Sequence, residues 1–219
     1  MRSRRLPRKA SRQQKTGQVR IIAGQCRGRR ISFPAVAGLR PTGDRLRETL
    51  FNWLASELRS ARCLDLFSGS GALGLEAASR GADEVTLLEL NSTAARALGN
   101  NIELLGLKSA KVLNDNALNW LQRYPRDDKP FDIIFLDPPF DSPLLSEAVD
   151  TLAQQSHLLA PEAIIYIEAP ARQTMTFIPA DWQLQRHKTT GDVACYLYHR
   201  QAEPSSHQLE ADAPPGQLS

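Results

Sequence analysis

The chain predicts an α/β fold, a mostly parallel sheet ending in an antiparallel hairpin, and three observations carry that expectation. From residue 62 onward, short β-rich runs alternate with helical periods, the pattern of a parallel sheet covered on both faces. Two runs, Phe131-Asp-Ile-Ile-Phe-Leu136 and Ala163-Ile-Ile-Tyr-Ile167, are nearly continuous in apolar residues, as strands buried on both faces must be. The last two strand candidates, 182–188 and 194–200, flank Thr189-Thr-Gly-Asp192, a turn that suits a hairpin.

The elements follow in order. Residues 1–17 have too few apolar side chains to fold and are expected as a disordered basic arm. Residues 19–23 and 30–33 are β-rich runs around Gly24 and Gly28, which suggests a small hairpin. Leu46, Leu50, Phe51 and Leu54 then repeat at helical spacing after Pro41-Thr42, predicting a helix over 43–57 with Trp53 as a packing residue. Hairpin and helix form the first part, 18–58, of one domain spanning 18–200, whose core is 59–200. Core strands are expected at 63–67, 84–88, 110–113, 131–136 and 163–168, before the closing hairpin. Helices are expected at 72–80, 91–105, 116–123 and 143–155, with Gly106 ending the second as a left-handed residue. Residues 201–219 contain Pro and Gly but almost no large apolar groups, and are expected to be a disordered tail.

Composition excludes several classes. The 219 residues are 42% hydrophobic, enough for a single core. No stretch approaches the roughly 18 apolar residues of a membrane span. The N-terminus lacks the apolar segment of a secretory signal, and Pro7 argues against the amphipathic helix of a transit peptide. A cytoplasmic, monomeric protein is the expectation. Cys26, Cys63 and Cys195 share no ligand spacing, and His157, His187, His199 and His207 form no ligand pair, so reduced thiols and no metal are expected.

The net charge of +3 hides a division. Residues 1–47 carry 14 Lys or Arg and one acid, Asp44, whereas the remaining 172 residues carry 13 basic and 23 acidic side chains. A basic end on an acidic body suits a protein that grips a polyanion. The candidate contacts are Arg27, Arg29, Arg30, Arg40, Arg45 and Arg47, although Arg45 and Glu48 could equally pair on a solvated helix face.

Two motifs stand 72 residues apart: Asp65-Leu-Phe-Ser-Gly-Ser-Gly-Ala-Leu-Gly74 and Asp137-Pro-Pro-Phe140. In the first, Gly69, Gly71 and Gly74 make a GxGxxG, and Glu89 follows Gly69 by 20 residues, which is also the dinucleotide fingerprint. Asp65 discriminates. A carboxylate there would face two phosphates of a dinucleotide, but it can receive the ammonium of S-adenosylmethionine directly or through water. The glycines would let the backbone approach the ligand. Glu89 ends the second core strand, where it can accept from both ribose hydroxyls. In Asn114-Asp-Asn-Ala117, Asn116 is the candidate acceptor for adenine N6, with Asp115 the alternative and a plain helix cap the structural one. Phe67 and Ala117 complete the cofactor set.

The second motif follows the buried fourth strand and so emerges at the same sheet edge. An amino group on a base is a poor nucleophile because its lone pair is delocalised into the ring. Hydrogen bonds from its two protons to the Asp137 carboxylate and the Pro138 carbonyl favour a pyramidal nitrogen. Two prolines fix φ and preorganise that carbonyl. Phe140 can stack on the base, and Asp137 can take part in removing the proton.

With Arg40-Pro-Thr-Gly-Asp-Arg-Leu-Arg-Glu-Thr-Leu-Phe-Asn-Trp53, these motifs resemble the RsmD family, bacterial small-subunit rRNA guanine-N2 methyltransferases. The likeness runs from about residue 18 to 200. Ser68, Gly43 and Cys26 depart from its usual residues without removing a catalytic group. The resemblance implies the seven-stranded Rossmann-like methyltransferase fold, S-adenosylmethionine as cofactor, and N2-methylguanine in 16S rRNA as product. It also implies an assembled or assembling small subunit as partner, and a segment 40–42, including Thr42, that closes over the cofactor and faces RNA. Guanine N2 takes part in pairing, so the target must be unpaired or flipped out. Three other readings compete: an NAD-dependent oxidoreductase, a methyltransferase for DNA adenine or protein glutamine, and a non-catalytic ribosome-assembly protein.

Overall fold

The computed structural model describes residues 16–34 and 43–201. Arm residues 1–15, segment 35–42 with Arg40 and Thr42, and tail residues 202–219 lie outside the described residues.

The N-terminal hairpin pairs β1 (Thr16–Arg20) with β2 (Arg30–Pro34), Val19 opposite Ile31. It begins inside the expected arm, because burying Val19, Ile31 and Phe33 on one face takes the alternation back to Thr16. Residues 21–29 are a loop instead of a strand end, closed by Ile21 N–H on the Arg29 carbonyl and Gly28 N–H on the Ile21 carbonyl. Then comes α1 (Asp44–Trp53), which buries Leu46, Leu50 and Phe51. It is shorter than the expected 43–57, since the chain leaves helical geometry at Leu54 and continues in turns.

The core alternates as expected: β3 (Arg62–Asp65), α2 (Gly74–Ser79), β4 (Glu84–Leu88), α3 (Ser92–Leu105), β5 (Ala110–Leu113), α4 (Ala117–Arg123), β6 (Phe131–Leu136), α5 (Leu144–Gln154), β7 (Leu159–Pro170), β8 (Trp182–Thr190) and β9 (Val193–Arg200). Gly106 closes α3 at φ 67°, the left-handed geometry a glycine adopts without a Cβ clash. Strand β7 outruns its apolar stretch because it is paired at both ends: Phe131 pairs with Leu159 before a register shift, and Pro170 with Val193 at the other end.

The seven strands lie in the order β5-β4-β3-β6-β7-β9-β8. The first five are parallel, and β9 and β8 are antiparallel. Alternation along the strands makes two cores. Val85, Leu87, Ile133, Phe135, Ile164 and Tyr166 pack toward α1, α2 and the hairpin. Leu64, Ile134, Leu136, Ile165 and Ile167 pack toward α4 and α5. Chain progression runs outward from β3 to β5, then resumes at β6 on the other side of β3. That reversal opens a crevice at the carboxyl ends of β3 and β6, where open α/β sheets bind ligands.

Candidate active site

Both motifs arrive at this crevice. Asp65 is the last residue of β3 and sits opposite Phe135 of β6, two residues before Asp137. Asp65 is only 2% exposed. Its Oδ2 accepts the Gly74 N–H at 3.0 Å, so an internal carboxylate already occupies a donor at the start of α2, where a dinucleotide pyrophosphate would have to bind. Burial pushes the Asp65 acid up to about 7; the Gly74 N–H opposes that shift and the nearby Asp137 charge adds to it. An approaching ammonium would return it to the ionised form.

Glu89 follows β4 and is half-buried. Its Oε2 accepts Gly69 N–H at 2.9 Å and its Oε1 accepts Asn91 N–H at 2.7 Å. Burial raises this acid and those two amides oppose the rise. The two acids thus brace the loop from opposite ends. Gly69 and Gly71 take positive φ, 50° and 79°. The reason for two of the glycines differs from the expectation of backbone approach to a ligand. A Cβ on Gly71 would lie 2.4 Å from Leu98 Cδ2, and one on Gly74 2.8 Å from Leu87 Cδ2 and 3.0 Å from Asp65 Oδ2. They let the loop pack on its own core.

The remaining cofactor candidates divide. Phe67 and Ala117 pack against the second core. Asn116 caps α4, its side chain accepting the Asn119 N–H at 3.0 Å. Asp115 accepts the Asn116 N–H and pairs with Arg123 at 2.7 Å.

At the second motif, Asp137 is half-buried and Pro138 buried, while Pro139 and Phe140 are exposed. Phe140 is 39% exposed, among the few large apolar side chains in that state. Ser142 Oγ donates to the Pro139 carbonyl at 2.6 Å and holds the turn. Continuing the pairing of Phe135 with Tyr166 and Leu136 with Ile167 sets Asp137 beside Glu168. Glu168 is 3% exposed and accepts the Tyr166 hydroxyl at 2.9 Å. Sequence reasoning passed over it, although an acid ending the run Ile164-Ile-Tyr-Ile167 was a legible signal.

Arg47 requires a correction. Expected to meet RNA, it is 0% exposed. Its Nη2 donates to Asp44 at 2.7 Å and to the Arg20 carbonyl at 3.0 Å, and its Nη1 lies 3.5 Å from Glu76. The helical period explains why: Leu50, Phe51 and Leu54 lie three, four and seven positions on, so Arg47 shares their buried stripe. Arg45 lies on the exposed side.

Glu76 is the hub of that contact and was also missed. Fully buried, it accepts Ile22 N–H at 2.7 Å and Ala23 N–H at 2.9 Å and pairs with Arg80 at 2.7 Å. Ser79 adds a hydroxyl between Cys26 N–H and the Ala23 carbonyl. These contacts fasten loop 21–29 to the helix that follows the glycine loop.

They also separate Arg27, Arg29 and Arg30 from the Asp137-Pro-Pro-Phe140 turn, the candidate clamp for a base. All three are exposed, but loop 21–29 rests on the C-terminal end of α2, and Arg29 Nη2 bonds the Leu104 carbonyl at 3.3 Å near the end of α3. Crossover helices end at the opposite sheet edge from the crevice.

The family model described as "Conserved hypothetical protein 95" matches residues 19–199. Ribosomal RNA small subunit methyltransferase D of Escherichia coli K12 is 46% identical over 191 residues, covering 87% of this chain and 94% of its own. The protein of that name from Haemophilus influenzae is 45% identical over 184 residues, covering 83% of this chain and 94% of its own. Among solved structures, the yhhF protein of Escherichia coli superposes with a TM-score of 0.76 at 46% identity, covering 85% of this chain and all of that one. With the loop, the clamp and the seven-stranded sheet in place, the chain belongs to the ribosomal RNA small subunit methyltransferase D family.

Proposed function

We propose that this chain transfers the methyl group of S-adenosylmethionine to the exocyclic N2 of a guanine in 16S rRNA of the assembled or assembling small subunit, acting as a cytoplasmic monomer. The observation that carries the reading is the convergence of an acid-braced glycine loop and the Asp-Pro-Pro-Phe turn at the ends of adjacent strands β3 and β6.

The residues fit the cofactor. Asp65 is a buried acid held up near neutrality, which suits it to an ammonium. Glu89 keeps lone pairs for ribose hydroxyls beyond the two amides it accepts. When bound, S-adenosylmethionine supplies an electrophilic sulfonium methyl. Asp137 and the Pro138 carbonyl then hold the two amino protons of the base, so that its lone pair points into the crevice. Phe140 offers its exposed ring as a stacking surface. As the C–N bond forms, the methyl–sulfur bond would break with its electron pair left on sulfur as a thioether, the nitrogen would become cationic, and Asp137 is placed to accept the proton it sheds. Arg45 contacts RNA from the exposed face of α1, and Arg27, Arg29 and Arg30 meet phosphates away from the crevice.

An oxidoreductase reading fits less well, because Asp65 stands at the helix start a pyrophosphate would need. The test incubates the protein and labelled cofactor with unmodified small subunits, naked 16S rRNA, DNA and protein, and maps the product by mass spectrometry. N2-methylguanine at one rRNA position is the expected result. Label in DNA adenine or protein glutamine alone would replace this reading.

A further inference from the structure

One buried acid at the crevice has no place in the clamp described above. Glu168 lies on β7, next to β6, one residue beyond the last registered pair, Leu136 with Ile167, as Asp137 lies one residue beyond β6. Phe135 and Tyr166, two residues before each, lie in the same core, so strand alternation carries Asp137 and Glu168 toward that face. Tyr166, two residues before Glu168, meets Phe135 edge-on with ring centroids 6.3 Å apart, and its hydroxyl donates to Glu168 at 2.9 Å. Desolvation and the Glu168 charge hold the Tyr166 phenol well above its ordinary value, and Asp137 adds to that effect. The hydroxyl therefore remains a donor, and it orients the acid beside it.

Such a placement matters for a guanine whose N2 is held by Asp137 and Pro138. The neighbouring ring position, N1–H, is a second donor that loses water on entering the site and needs an acceptor there. Adjacent strands lie about 4.8 Å apart, so the next carboxylate stands one strand over. A carboxylate offers about four lone-pair sites, so the Tyr166 hydroxyl does not by itself exhaust it.

We propose that Glu168 is a specificity-determining residue that accepts guanine N1–H, so that Asp137 and Glu168 together read the edge of the flipped base. Tyr166 is the positioning residue that aims it. This rests on the guanine reading above and deepens it. Adenine carries an N1 lone pair where guanine carries N1–H, and so would set acceptor against carboxylate.

Small subunits reconstituted with rRNA bearing guanine or 2-aminopurine at the methylated position provide the test. 2-Aminopurine keeps the amino group but replaces N1–H with a lone pair; it also lacks O6. Wild type is expected to methylate 2-aminopurine about 100-fold more slowly in single turnover, as a site that binds a donor rejects its absence. Glu168→Gln can present its amide N–H to that lone pair, so its ratio should fall to about 10-fold or less. Loss of O6 alone would not move with residue 168. Tyr166→Phe should also narrow the ratio, with cofactor affinity unchanged.

Equal wild-type rates on the two bases would overturn the inference, whether or not the variants fold. So would an unchanged ratio in a Glu168→Gln protein that still binds cofactor. No N2-methylguanine from wild type on guanine subunits would instead overturn the functional reading beneath it.

Discussion

The two halves of the crevice are built in opposite ways. On the cofactor side, residues 65–74 are satisfied from within: Asp65 takes the Gly74 amide, Glu89 takes the Gly69 amide, and Ser68 Oγ donates to the Asp65 carbonyl. At the second motif, residues 137–140 are stiffened by two prolines in succession and by the Ser142 hydroxyl on the Pro139 carbonyl, with Phe140 exposed. A small cofactor can be met by a loop completed in advance, whereas a base on a large RNA must reach its groups from outside. On the function proposed above, the turn at 137–140 would stay open for that reason.

That contrast predicts different failures. Asp137→Ala should lower single-turnover methyl transfer by about 10³-fold, the scale of lost general base and electrostatic help, while cofactor affinity by calorimetry stays within a few-fold. Near wild-type turnover would mean that other groups hold the amine.

Next in size is the support beneath the loop. Glu76→Ala removes the buried acid shared by Arg47, Arg80 and the Ile22 and Ala23 amides, a change expected to cost about 3–5 kcal/mol even with Asp44 still on Arg47. For a domain of this length that is a fall in melting temperature of roughly 10 °C. A fall confined to a degree or two would show that loop 21–29 holds α2 without Glu76.

Asp65 tests the cofactor side through pH. Its acid is raised from 3.8 to about 7 by burial, so the folded state binds its proton more tightly than the unfolded chain. The resulting stability is fully present below pH 4 and is lost as pH rises through about 7. Ligand-free Asp65→Asn should therefore melt several degrees above wild type at pH 8, with the difference shrinking as pH falls and vanishing near pH 4. Cofactor affinity of the wild type should weaken as pH falls below 7, because a protonated Asp65 does not attract an ammonium. A melting difference independent of pH would assign the gain to something other than this carboxyl.

The smallest effects belong to the open side. Phe140→Ala should weaken substrate binding by about 1–3 kcal/mol, the worth of a base stack. Replacing Arg27, Arg29 and Arg30 together should flatten the salt dependence of rRNA affinity, because fewer counterions are released. Saturated rates should hold, since these residues sit away from the clamp. Binding across a salt series reads the second effect; an unchanged slope would make this face a solvated surface.

Much of the architecture was legible along the chain. Strands 84–88, 110–113 and 131–136 match β4, β5 and β6 to the residue, because each is a short apolar run bounded by turns. The shift of β1 to Thr16 was not legible, since only its pairing with β2 decides where the alternation begins. Arg47 and Arg45 look alike in a charge count and differ only in helix face.

The sequence by itself determined the alternating architecture, the crevice motifs and the acids that carry them, because periodicity, prolines, glycines and strand-end carboxylates act locally. Tertiary structure alone decided what those groups touch. It turned Arg47 inward onto Glu76, assigned Gly71 and Gly74 to packing, and set Glu168 level with Asp137. Those outcomes depend on which strands become neighbours and which helix faces are covered, and contacts between residues tens of positions apart are written in no single stretch of chain.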